Sequence, residues 1–220
     1  MKLFILILLF CIQAFATSTT DIGLGITSGN TETKLLTAKT ANSFPLDSYI
    51  LKLDGNYNYG KAKKIVNTDN WMGKIRGEKE ILFLSEQLLS NKLSGIELRS
   101  RSDLGIAYDF IKDSLKGEAS LVYFHQTETT GKSRSTYGFA LLGGHTIKLQ
   151  SSATIQTTIE YLQSLQNTKL FLINPTLSIS TKINDILGLK ISEIYQFINT
   201  PPRGKKKWDQ SISTALTITF

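Results

Sequence analysis

Hydrophobic and polar residues alternate with a period of two along most of the chain. From Tyr49 to Tyr59, Tyr49, Leu51, Leu53, Tyr57 and Tyr59 fall on one side, while Lys52, Asp54, Asn56 and Asn58 fall on the other. Successive side chains of a β-strand point to opposite faces, so such a segment carries one apolar wall and one polar wall. Ala153, Ile155, Ile159 and Tyr161 alternate in the same way with Thr154, Gln156, Thr158 and Glu160. Near the end, Ile212, Leu216, Ile218 and Phe220 alternate with Ser211, Ser213, Thr217 and Thr219. A helix would need apolar spacings of three and four, which these segments lack. Runs and turns together predict twelve strands, near 19–28, 32–44, 48–60, 69–83, 87–92, 96–110, 116–128, 136–149, 152–165, 168–183, 186–199 and 208–220. Many exceed the roughly five or six residues of a soluble strand and match the ~9–11 of a tilted membrane-crossing strand. The expected fold class is all-β: an antiparallel transmembrane β-barrel of about twelve strands, closed by its C-terminal strand.

The connections repeat that reading. If the N-terminus is periplasmic, the even-numbered links face the periplasm and are tight: Pro45–Asp47, Leu84–Glu86, Ile111–Leu115, Gln150–Ser151 and Asn184–Asp185. The longer links, Lys61–Thr68, Thr129–Ser135 and Thr200–Lys207, all fall on the outer side. Short periplasmic turns with longer outer loops are the outer-membrane arrangement. At Ser28-Gly29-Asn30-Thr31, glycine and asparagine tolerate positive φ, which predicts a tight hairpin.

The N-terminus sets the expected compartment. Lys2 precedes an unbroken apolar run from Leu3 to Ile12, and Ala14-Phe15-Ala16 has the small-x-small pattern of a cleavage site. Residues 1–16 are therefore expected to be a signal peptide and 17–220 the barrel domain, exported through the secretory pathway to the cell outer membrane. Cys11 raises lipidation as an alternative, but Phe10 stands where a lipobox needs a small residue. Cleavage after Ala16 removes the single cysteine, which leaves no disulfide, thiolate nucleophile or cysteine metal site. With only two histidines, no metal or other cofactor is expected.

Removing Lys2 from 25 basic residues leaves 24 against 18 acidic ones, a formal charge of +6. In an exported chain this points away from nucleic acid and towards a membrane surface or basic loops. Lys61, Lys63, Lys64, Lys132, Arg134, Arg203, Lys205, Lys206 and Lys207 are expected in outer loops, where they could face outer-membrane lipids and lipopolysaccharide or simply be solvated. The apolar parity of Ile212, Leu216 and Ile218 behind a terminal Phe220 is the pattern expected of a signal for the barrel-assembly machinery. In a soluble protein it would be an aggregation-prone edge. The chain is expected to be a monomer.

Three blocks carry a family resemblance: Asp21-Ile22-Gly23-Leu24-Gly25-Ile26-Thr27-Ser28-Gly29-Asn30-Thr31-Glu32-Thr33; Phe83-Leu84-Ser85-Glu86 with Gly95-Ile96-Glu97-Leu98-Arg99 and Leu104-Gly105-Ile106-Ala107-Tyr108; and Pro201-Pro202 with Lys207-Trp208-Asp209 and the closing strand. In order and spacing they resemble the salt-induced outer membrane protein (YdiY-like) family, although the stretch between Glu86 and Gly95 is shorter than that pattern. The resemblance implies an outer-membrane barrel, a link to salt or osmotic stress, and no catalytic residue.

On the polar wall, parity places Lys52, Asp54, Lys74, Arg76, Glu78, Glu80, Arg99, Arg101, Asp103, Asp109, Glu118, Glu160 and Lys190. Either these plug the lumen as ion pairs, or they line a narrow aqueous channel. No outer loop is long enough to be expected to fold inward. A lipid-modifying enzyme is a competing class, with His125 and His145 on the outward wall. His125 lacks an obvious adjacent serine and orienting acid in sequence. A soluble periplasmic lipocalin-like binding barrel is a third class. Tyr57, Tyr59, Trp71, Tyr123, Tyr137, Phe139, Tyr195, Phe197 and Trp208 are expected to form an interfacial girdle below the outer loops.

Overall fold

A chain of two-faced strands can hide its polar wall by rolling it inward. The computed structural model describes residues 17–28, 33–62, 65–91, 95–149, 152–201, 204 and 206–220. Its strands are β1 Thr17–Ser28, β2 Thr33–Leu46, β3 Tyr49–Ala62, β4 Ile65–Lys79, β5 Leu82–Asn91, β6 Ile96–Ile111, β7 Leu115–Glu128, β8 Ser133–Lys148, β9 Ala153–Ser164, β10 Phe171–Lys182, β11 Leu187–Ile198 and β12 Trp208–Thr219. Each pairs antiparallel with its sequence neighbours, and β1 pairs with β12 from Thr19↔Thr219 to Ser28↔Gln210. The result is a closed barrel of twelve strands. Closure pairs the backbone groups that an open sheet would leave at its edges. The segment 1–16, the Gly29–Asn30 turn, and Lys63, Lys64, Arg203 and Lys205 lie outside the described residues. No described helix is long and apolar enough to cross a membrane.

The barrel is apolar on the outside. Among the described residues, eight hydrophobic side chains are buried and thirty-eight large ones are exposed. Along β1 the exposed set is Ile22, Leu24 and Ile26; along β6 it is Leu104, Ile106, Tyr108 and Phe110. Water-soluble monomers rarely expose an apolar patch beyond a few hundred Å², and a continuous band of this kind suits hydrocarbon. At the closing seam, a Cβ on Gly23 would lie 2.2 Å from the Thr214 carbonyl oxygen and 2.7 Å from Ala215 Cα, so only glycine fits there.

The start of β1 and the end of β12 lie at the end of the barrel with the short turns, here called the turn end. The opposite end is the loop end. Three turns carry an acidic residue in the left-handed region: Asp47 (φ 54°), Glu80 (φ 52°) and Asp113 (φ 60°). Aspartate accepts that conformation readily, whereas glutamate seldom does. The turn between β4 and β5 therefore departs from expectation. It sits at Glu80–Ile81 rather than at Leu84–Glu86, β4 ends at Lys79, and β5 is a full ten residues. Glu80 is an exposed turn residue and does not face the lumen.

The loop end differs in a second way. The expected Lys61–Thr68 loop is mostly strand, since β3 runs to Ala62 and β4 begins at Ile65, with a register shift at Gly60/Lys61. Lys61 is thus a strand residue paired with Lys34 and Val66.

Candidate functional site

The inward parity of β3, β4, β6, β7 and β9 brings charge into the lumen. Lys52 Nζ lies 2.7 Å from Glu78 Oε2. Arg76 Nε lies 2.6 Å from Glu78 Oε1, without the alignment of a hydrogen bond. Arg76 Nη1 donates to Glu118 at 2.7 Å, and the Arg76 guanidinium stacks 3.8 Å over the Phe83 ring. Arg76 is on β4 and Glu118 on β7, so this pair reaches across the interior rather than along the wall. The side chains are 9% and 12% exposed, which makes the pair effectively buried.

A second tie has the same character. Arg101 on β6 binds Asp103 at 2.8 Å through Nη2 and reaches Glu160 on β9 at 2.7 Å through Nη1. Ser85 and Ser120 also donate to Asp103, and Asn174 donates to Glu160 at 2.9 Å. A buried ion pair tolerates its desolvation only when the remaining lone pairs are satisfied, and these hydroxyls and amides do that. On the far side, Lys190 pairs with Asp21 at 2.9 Å, and Thr217 donates to the same carboxylate. Asp54 stands opposite Lys74 in the β3–β4 register. Asp109 is exposed at the turn-end rim, opposite Lys116.

Parity alone gives no hint that part of the lumen is apolar. Val122, Ala140, Leu162 and Leu172 form a buried cluster with Phe124 and Ile198 packed on it, all on the inward positions of β7 to β11. Above it, towards the loop end, opens a cavity of about 130 Å³ lined by Arg99, Gln126, Arg134 and Lys206 together with these apolar residues. Arg99 Nε and Nη2 both donate to Gln126 Oε1, at 2.9 and 2.6 Å.

Two expectations about the outer basic residues need correction. Arg134 is an inward residue of β8, directly opposite Gln126, and lines the cavity rather than an outer loop. Lys206 and Pro201, both in described parts of the β11–β12 connection, line the cavity too, although no outer loop was expected to turn inward. Strand β8 begins at Ser133, earlier than its apolar alternation suggests, which is why Arg134 reads as loop in sequence. Lys132 is exposed in the tight β7–β8 link, where its carbonyl accepts from Glu128 N at 2.8 Å. Lys207 is exposed, with Nζ 3.5 Å from Asn199 Oδ1.

Outside, aromatic rings line part of the loop-end rim: Tyr123 is tilted against Tyr137 at 5.0 Å, and Phe139, Tyr161, Phe171, Phe197 and Trp208 follow in succession at 5.1–6.2 Å, tilted except for the last pair, which meets edge to face. Tyr161 and Phe171 join the expected set because they alternate outward at the same height. His125 Nδ1 lies 2.9 Å from Ser135 Oγ, so an adjacent serine exists after all, supplied by the facing strand. Tyr123 also donates to Ser135, and among the described residues no acid or amide holds the other imidazole nitrogen. That pair lacks the third group a serine nucleophile needs. His145 is on the opposite end of the wall, facing Leu115 and Thr157. No described group of acidic, histidine or cysteine residues could hold a metal. At the seam, Ile212 and Leu216 are exposed on the outer wall, while Phe220 exchanges backbone hydrogen bonds with Ser18.

Comparisons with known proteins agree with this geometry. The NanC porin superimposes with a TM-score of 0.59 at 11% identity, covering 91% of this chain and 100% of its own. The COG4313 outer membrane channel from Pseudomonas putida F1 gives 0.54 at 8% identity, over 93% and 96%. The KdgM porin gives 0.51 at 11% identity, over 92% and 99%. At such identities the likeness is one of fold, and it is the fold of outer-membrane channels. A comparison with curated proteins gave no match. Residues 20–220 match the family described as "Protein of unknown function, DUF481", and the chain belongs to that family.

Proposed function

We propose that this protein is an outer-membrane channel of narrow bore, in which ion pairs spanning the lumen set the aperture for small solutes. The carrying observation is that Arg76–Glu118 and Arg101–Glu160 join strands that are not neighbours, so each crosses the space a solute would take. The apolar outer wall and aromatic rim support a membrane location. Residues 1–16 supply the export signal, and the terminal strand ending at Phe220 is what the assembly machinery reads. Exposed Lys132 and Lys207 face lipopolysaccharide. The link to salt stress is carried by the family resemblance.

The same ties favour a second reading, a closed barrel with a structural role. Planar-bilayer recording of the refolded protein separates the two. A channel gives discrete conductance steps, larger in Glu118→Gln. A closed barrel gives none in either protein. A lipid hydrolase would instead release fatty acid from membrane extracts, and a soluble lipocalin-like barrel would stay in the supernatant when membranes are pelleted.

A further inference from the structure

The cavity at the loop end is built from two unlike halves. In one cross-strand row, Leu89, Arg99, Gln126 and Arg134 stand side by side on β5, β6, β7 and β8. Neighbouring strands are about 4.8 Å apart, so the two arginines flank Gln126 with backbones roughly 10 Å from one another. Described ion pairs take up Lys52, Arg76, Arg101, Lys116 and Lys190, and Arg99 and Arg134 belong to none of them. Arg99 is held by a neutral amide oxygen, which fixes its plane without cancelling its charge.

Gln126 supplies the second observation. Gln126 is 3% exposed and lines the cavity, and its buried Nε2 has no hydrogen-bond partner. A buried amide donor left unpaired costs about 1–3 kcal/mol, and such groups mark places where something else binds. Lys206 adds a cation to the same wall, and among the described residues Asp209 is the one carboxylate lining it. The opposite half is apolar, with Phe124, Leu162, Leu172 and Ile198.

We infer that this vestibule is a recognition site for a small carboxylate carrying an apolar body about the size of one ring. The carboxylate takes the Gln126 Nε2 donor and lies between Arg99 and Arg134, while the apolar body rests on Phe124 and Leu162. The volume of about 130 Å³ is close to the roughly 150 Å³ apolar cavity that admits benzene. Cations are repelled by the arginines, and inorganic anions leave the apolar half in water. The inference rests on the channel reading only in placing this cavity at the outer entrance.

The test is calorimetric titration of the refolded protein in detergent, with benzoate, acetate and benzylamine as probes. Benzoate binds in the millimolar range or tighter, acetate at least about tenfold more weakly, and benzylamine not at all. Arg99→Gln and the more exposed Arg134→Gln each weaken benzoate about tenfold or more. Heat-modifiable migration on gels confirms that each variant is folded, and Arg134→Gln serves if Arg99→Gln is not. Benzoate binding unchanged in Arg134→Gln, equal binding of benzylamine, or no benzoate binding overturns the site. Conductance without benzoate binding overturns this site alone. Benzoate binding without conductance overturns the channel and leaves the site standing.

Discussion

Replacing Glu118 by glutamine tests the cross-lumen tie most sharply. Breaking a buried ion pair by removing one charge costs about 3–5 kcal/mol when the other charge is stranded. Here Arg76 is not fully stranded, because Glu78 remains 2.6 Å from its Nε and Phe83 lies beneath it. The glutamine can also keep the hydrogen bond that Arg76 Nη1 now donates. What is lost is charge balance, since Lys52 and Arg76 would then share the single carboxylate of Glu78. We expect a loss of about 2 kcal/mol, roughly 30-fold in the folding equilibrium, read by urea unfolding in lipid vesicles. The double variant Arg76→Met/Glu118→Leu should recover most of that loss. It leaves Lys52–Glu78 intact as a neutral pair and fills the gap with apolar atoms. A Glu118→Gln protein within about 0.5 kcal/mol of the parent, or a double variant less stable than the single one, would refute the reasoning.

Other outcomes follow from the same geometry. Arg101→Gln removes the cation shared by Asp103 and Glu160, so it should destabilise by about 3 kcal/mol and shift bilayer reversal potentials towards cation preference. Gly23→Val drives a side chain into the Thr214 carbonyl at the seam, so the heat-modifiable folded band should vanish. Phe220→Ala keeps the backbone bonds to Ser18 but removes the terminal ring, and should lower the outer-membrane fraction in cells while refolding in vitro is retained.

The wall was legible in the sequence because a period of two is read one residue at a time. Lys52, Asp54, Arg101 and Glu160 can be assigned to the wet face from their immediate neighbours. The partners that inward charges meet across the lumen lie about forty or more positions away, as with Arg76 and Glu118 or Arg101 and Glu160, and periodicity holds no information about that. The β4–β5 turn was hidden because Glu80 takes a conformation that favours glycine, asparagine and aspartate, inside a run, Ile81 to Leu84, that reads as strand. Arg134 was misplaced because hydrophilic residues can continue a strand beyond the apolar band, and there parity rather than hydropathy decides the side. The His125–Ser135 contact is likewise cross-strand, fixed by register.

Most directly testable is the claim that alternate residues of one strand face lipid and lumen. Single cysteines placed on β10 at Leu177, Ser178, Ile179 and Ser180 of a chain begun at Thr17, which lacks Cys11, would carry a fluorescent label in vesicles containing brominated lipid. Leu177 and Ile179 lie on the exposed outer wall, whereas Ser178 turns inward and bonds Ser192. Strong quenching is expected at 177 and 179 and little at 178 and 180. Equal quenching at all four positions, or a protein that never associates with the vesicles, would contradict it.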